Sequence, residues 1–229
     1  MLIQLFGVGA VITFHWVAFY GSIKYSNVSV ALVCFSATGF FTALLEPLFL
    51  RKTFVLMEVL LGVLSVLGIY IIFDFHPQYT LGIFYGIAAA IGSAIFPILN
   101  KQLVKKCSPE TMTFYEMGGG FIFLTILLPF YLNVLDADLT WPSSMDWMWL
   151  IILAGFCTVL TLILQLNALK YISAFTTNLT YNLEPLYGII MAFIIFNETK
   201  MLHPGFFAGL ALILISIIVQ MIRVKRQKS

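Results

Sequence analysis

The sequence predicts an all-α membrane protein. It reads as a polytopic bundle of eight transmembrane helices, built from an inverted five-plus-five-helix repeat that is truncated at its N-terminus. Three observations carry this. Hydrophobic residues make up 61% of the 229 and charged residues only 10%, with a mean hydropathy of +1.02, whereas a soluble domain carries roughly 25% charged residues. Apolar runs of about 20 residues recur, the length that crosses a hydrocarbon core of about 30 Å. Finally, the second part of the chain echoes the first at an offset of 146 residues.

The spans fall at about 2–23, 28–50, 54–73, 80–101, 110–133, 147–168, 173–196 and 204–223. Short polar connections separate them: Lys24 to Asn27, Arg51-Lys52, Asp74 to Gln78, Lys105 to Pro109, Asp136 to Asp146, Lys170, and Asn197 to His203. Ser108-Pro109 reads as an N-cap followed by proline at the first helical position. The first span lacks the basic flank and small-residue cleavage site of a signal peptide. Basic residues set the orientation. Arg223, Lys225, Arg226 and Lys228 mark a cytoplasmic tail at 224–229 and the end of the helix before it. Counting back through eight spans gives that side ten of the twelve Lys and Arg residues. Both termini are therefore expected in the cytoplasm, in a cell membrane of the bacterial inner-membrane type.

In the repeat, Ser22-Ile23-Lys24-Tyr25 pairs with Ala168-Leu169-Lys170-Tyr171. The same offset pairs the first three spans with the last three. Residues 80–223 then form a complete five-helix unit, and residues 1–75 correspond to the last three helices of an equivalent one. Two helices are expected to be missing before Met1. An odd number of helices per unit inverts one copy relative to the other, a device that suits alternating access.

At these residues the chain resembles a known family. HWVAFYGSIKYSNVSVALVCFSATGFFTALLEPLFL is similar to the last three helices of an EamA-type half in the drug/metabolite transporter superfamily. LNALKYISAFTTNLTYNLEPLYGIIMAFIIFNE resembles the corresponding run of the second half, with Glu198 at its final glutamate and Pro204, Gly205 and Gly209 opening the last helix. The resemblance implies a two-repeat secondary transporter, exporting small metabolites such as amino acids, with no enzymatic activity. Arg51-Lys52 departs from the glycine-glutamate that usually ends the first half, which suggests a reshaped cytoplasmic rim.

Candidate site residues come from polar groups at depth. The tetrapeptide LEPL occurs at 45–48 and 183–186, 138 residues apart, and so is eight positions out of register with the repeat. That is about 12 Å along a helix. Glu46 then lies near a span end with Arg51 and Lys52, where an interfacial ion pair is expected. Glu184 lies mid-span, where a carboxylate costs on the order of 2.5–3.5 kcal/mol. It must face a cavity, find a partner, or hold a proton. Pro185 cannot donate to the Tyr181 carbonyl, so a kink with a freed carbonyl is expected beside Asn178 and Asn182. Glu184 is read as lining a substrate cavity, with a packing contact as the alternative. Its repeat partner is Thr38, flanked by Ser36. His15 and Trp16 lie midway along the first span, and Gln165 on the paired sixth. An aromatic wall suits zwitterionic or aromatic metabolites. Glu116, before Gly118-Gly119-Gly120, is either a cytoplasmic gate or an interfacial glutamate.

Other classes are weakened. The sequence holds no HExxH and no GxSxG. His15, His76 and His203 are far apart in the topology, and Cys34, Cys107 and Cys157 lack metal-ligand spacing. Neither a metal nor a cofactor is expected, and proton coupling through Glu184 stays open. A net charge of +2 gives no argument for nucleic acid. The expected partners are a small-molecule substrate and the bilayer, with a homodimer open. The rival reading is a non-transporting fragment or subunit that needs a partner chain to complete its bundle.

Overall fold

The computed structural model describes residues 1–72, 79–135, 141–184, 187, 191 and 204–228, and every regular element among them is helical. In order these are α1 (Leu2–Tyr25), α2 (Val28–Ser36), α3 (Thr38–Leu50), α4 (Leu56–Ile72), α5 (Thr80–Leu103), α6 (Pro109–Leu135) and α7 (Ser144–Ile152). A π-helical stretch (Leu153–Leu160) leads into α8 (Thr161–Leu169), and α9 (Ala174–Thr180) passes into a 3-10 turn (Tyr181–Leu183). The last helix, α10, spans Pro204–Lys228. The chain is an all-α membrane helix bundle. Among the described residues, five stretches are long and apolar enough to cross a membrane: Leu2–Tyr25, Val30–Leu50, Thr80–Leu103, Pro109–Phe130 and Ser144–Leu169. Shorter apolar helices at Leu56–Gly68 and Phe207–Arg223 occupy the third and eighth predicted spans.

Local chemistry explains the boundaries. The Asn27 side chain accepts the Val30 N–H at 2.8 Å and starts α2, satisfying one of the donors a helix start leaves open. Ser173 does the same for Thr176 at 3.1 Å and starts α9. These two caps stand 146 residues apart. So do two interruptions: Ala37, between α2 and α3, and Leu183, in the 3-10 turn. Ser143 and Asp146 form a reciprocal capping box ahead of α7, which starts that helix three residues before the expected position.

The chain divides into two compact units. The first comprises Met1–Thr13 and Asn100–Tyr171. In it α1 meets α6 backbone to backbone at glycines. A Cβ on Gly9 would lie 2.0 Å from the Glu116 carbonyl oxygen, and one on Gly119 would lie 2.6 Å from the Phe6 Cα. Small residues let α1 and α6 approach this closely, the packing mode that serves where lipid removes the hydrophobic drive. The Phe6 and Tyr115 rings meet beside them. Lys101 donates to the Leu169 carbonyl and so ties the end of α5 to the end of α8.

The second unit comprises Phe14–Leu99 and Ile172–Ser229. Helices α4 and α10 run antiparallel, with Glu58 against Arg223 at 3.3 Å and Ser65 against Ser216 at 2.8 Å. The two pairs are seven residues apart on each helix, two turns, so one seam carries both. Ala43, Leu61, Phe175, Leu179, Ile213 and Ile217 form the buried core where α3, α4, α9 and α10 meet. The later part of α1 lies on α5, where Ser22 donates to the Gly82 carbonyl at 2.7 Å and Tyr25 stacks on Tyr85.

Two glycines of α1 test the close packing. Gly7 has open space where its Cβ would be, whereas Gly9 has Glu116 backbone. Gly7→Ala should be neutral or stabilising by up to about 1 kcal/mol through helix propensity. Gly9→Ala should reverse the sign and cost about 1–3 kcal/mol through overpacking. Thermal unfolding of the two purified variants in detergent measures both.

Candidate functional site

Inside the second unit the polar side chains gather around Asn178. Its Nδ2 donates to Thr42 Oγ1 at 2.7 Å and to the Ser93 carbonyl at 3.4 Å. Asn178 Oδ1 and Ser93 Oγ are buried with no hydrogen-bond partner among the described residues. Leaving such groups unpaired is costly, so each is a ready contact for a polar group of a ligand. Thr38 donates to the Phe35 carbonyl at 2.6 Å and Thr42 to the Thr38 carbonyl at 2.7 Å. The Thr38 hydroxyl reaches across the interruption at Ala37, and the Thr42 hydroxyl bonds back within α3. Ser36 and Thr38 are both fully buried there.

An aromatic group adjoins this seam. His15 stacks on Phe35 with ring centroids 5.3 Å apart, and Phe35 stacks on Tyr181 at 6.3 Å. Phe19 and Phe96 complete the cluster around His15. His15 Nδ1 donates to the Ala89 carbonyl at 2.8 Å, which fixes the ring orientation and its tautomer. Trp16 is half-buried one residue on.

The structure thus brings His15, Ser36, Thr38, Asn178 and Tyr181 into one unit and leaves Gln165 and Glu116 in the other. Thr42, Ser93, Phe35 and Phe96 were not singled out from the sequence. Thr42 had a visible signal, since it lies four residues after Thr38 and shares its helix face. The Asn182 side chain and Pro185 lie outside the described residues.

One expectation changes. The Tyr181 carbonyl is not free, because the 3-10 turn directs the Glu184 N–H onto it. Tightening from an i→i+4 to an i→i+3 pattern lets the donor before the proline satisfy that carbonyl. Glu184 itself is exposed. The buried residues of α9 include Phe175, Asn178 and Leu179, and Glu184 follows the 3-10 turn that ends this stretch.

Among the described residues of this unit, Glu46 is a buried carboxylate, only 4% exposed. Its Oε1 receives Lys52 Nζ at 2.9 Å and its Oε2 receives the Phe175 N–H at 2.8 Å. The expected basic neighbour is therefore Lys52, and the second bond ties α3 to the start of α9. Arg51 adopts the left-handed conformation, φ 50°, as the C-cap of α3 and turns the chain there.

Residues 80–222 match the EamA-like transporter family. The chain belongs to that family. An uncharacterized transporter of Archaeoglobus fulgidus is 28% identical over 68% of this chain and 53% of its own length. An S-adenosylmethionine uptake transporter of Rickettsia conorii is 28% identical over 75% of this chain and 56% of its own length. The chain thus spans little more than half the length of these two relatives. A crystal structure with 13% identity matches the fold with a TM-score of 0.71, over 99% of this chain and 78% of that one. Among the described residues, no group of three or more His, Cys, Asp or Glu side chains could hold a metal.

The two glutamates of the LEPL pair should separate in stability. Glu46→Gln removes a charged acceptor from a buried N–H and from Lys52, and should cost about 1–3 kcal/mol. Glu184→Gln should stay within about 0.5 kcal/mol of the parent, as an exposed substitution does. Thermal melts in detergent compare them directly.

Proposed function

We propose that this chain is a secondary carrier for small zwitterionic or cationic metabolites, working by alternating access, with both termini on the cytoplasmic side. The observation that carries the reading is the pair of interrupted spans. Each begins at a side-chain cap, Asn27 or Ser173, and each breaks near its middle, at Ala37 or at Tyr181–Leu183. The matching features stand 146 residues apart. Broken helices in corresponding positions of two related segments are where carriers place their substrate. Membership of the EamA-like family supports transport, and antiparallel packing of α4 on α10 agrees with an even number of spans.

The chemistry of the seam suggests the solute class. Asn178 Oδ1 and Ser93 Oγ can engage an ammonium and a carboxylate, while Phe35, Phe96 and Tyr181 offer faces that attract a cation. An amino acid fits this description, and so does S-adenosylmethionine, the solute named for the rickettsial relative. Direction follows from the gradient in such a carrier: export is expected from the resemblance, and uptake is what that relative is named for.

Proteoliposomes holding the full chain should exchange labelled S-adenosylmethionine or an amino acid from a small panel. Asn178→Ala should raise KM at least tenfold, the loss of one hydrogen bond to a charged group of about 1.5–3 kcal/mol. Unchanged KM for every transported solute would remove Asn178 from the site. No exchange of any zwitterion or cation would remove the function.

A further inference from the structure

The first unit holds further buried polar side chains that the seam around Asn178 does not use, among them one bonded pair. Glu116 and Asn100 are completely buried, Thr113 is 3% exposed and Gln165 9%. Asn100 Nδ2 donates to Glu116 Oε2 at 3.2 Å. Four atoms of this set lack a hydrogen-bond partner among the described residues: Glu116 Oε1, Asn100 Oδ1, Thr113 Oγ1 and Gln165 Nε2.

Among the described residues, the partner seen for the Glu116 side chain is the Asn100 amide, not a cation. Among the described residues, Lys52 pairs with Glu46 and Arg223 with Glu58. On α5, Lys101 donates to the Leu169 carbonyl, and Lys170, after α8, donates to Asn167 Oδ1. Lys105 and Lys106 are exposed. Residues 2–13 of α1 and 161–169 of α8 contain nothing titratable. On α6 itself, Glu110 is exposed at the helix start and Tyr115 packs on Phe6. An ionised carboxylate left this way in an apolar bundle costs several kcal/mol.

The orphaned atoms of the pair are complementary under one condition. With Glu116 ionised, Oε1 and Asn100 Oδ1 are both acceptors. One proton on Oε1 makes it a donor, and acid and amide can then exchange two bonds, Asn100 N–H to Oε2 and Oε1–H to Asn100 Oδ1. We propose that Glu116, completed by Asn100, is a buried proton-binding site of this protein. A cavity of about 530 Å³ is lined by Glu110, Thr113, Phe114 and Met117 of α6 and faced by Val159 and Ile163. Glu110 and Thr113 stand six and three residues before Glu116 on the same helix. A proton taken from water bonds to Glu116 Oε1 and returns to water on release, with no other bond changed. Coupling of that proton to solute movement rests on the carrier reading; the proton site itself does not.

Infrared spectroscopy of the purified full chain in detergent tests the site, following the carboxylic-acid carbonyl band through a pH series. One such band should persist at neutral pH, vanish in Glu116→Gln, and remain in Glu46→Gln and Glu184→Gln. Asn100→Leu should move it to higher frequency, as loss of a donor to the acid carbonyl requires. Glu116→Gln should keep the parent's melting temperature, since its amide supplies the same donor and acceptor. The proposal is overturned if no band persists at neutral pH, if the band survives in Glu116→Gln, or if Asn100→Leu leaves it unmoved. Loss of the band on replacing choline chloride with sodium chloride at fixed pH also overturns it, in favour of a sodium site. None of these results touches the solute exchange that decides the carrier reading.

Discussion

In the hydrocarbon slab that this composition demands, every backbone N–H and C=O must find its partner inside the protein. The rest of the structure follows from that constraint. It permits only helices here, and it makes each interruption expensive unless nearby groups repair it. The repairs are visible: Thr38 returns its hydroxyl to the Phe35 carbonyl, and the Glu184 N–H takes the Tyr181 carbonyl. Where the helices break, side-chain oxygens and amides gather, and the polar seam around Asn178 is the result.

The two units solve packing differently. The first relies on glycine, which brings the backbone of α1 onto that of α6 at Gly9 and Gly119. Close approach there shuts Glu116 away from solvent and leaves its amide neighbour Asn100 as the one donor to its side chain among the described residues. The second unit relies on matched polar pairs along antiparallel helices, Glu58 with Arg223 and Ser65 with Ser216. A hydrogen bond of this kind contributes only about 0.6 kcal/mol on average in membrane proteins. Its larger effect is to set the register between helices whose apolar surfaces offer little to distinguish one alignment from the next.

The carboxylates show where reading the sequence stopped. Depth along a span is legible, because residues are counted from its ends. Facing is not, because it depends on which neighbour covers the helix. Glu184 sits mid-span as counted and is exposed, after the 3-10 turn that follows the buried stripe of Phe175, Asn178 and Leu179. Glu46 sits near a span end, yet α9 begins beside it and draws it in through the Phe175 N–H. Thr42 and Ser93 escaped notice for a related reason. A lone hydroxyl in an apolar run looks like filler until an amide from another helix arrives at it.

The sequence by itself determined the class of protein, the helices and most of their ends. Hydrocarbon thickness and the polarity of the connections impose those locally, residue by residue. The 146-residue offset belongs to that list as well, since it is a property of the string. Only the tertiary structure decided which polar groups are buried together: Asn178 with Thr42 and Ser93, Glu46 with Phe175, and Glu116 with Asn100. Each of these pairings joins residues from different helices. The pattern along any one helix holds no record of the azimuth at which its neighbour will pack.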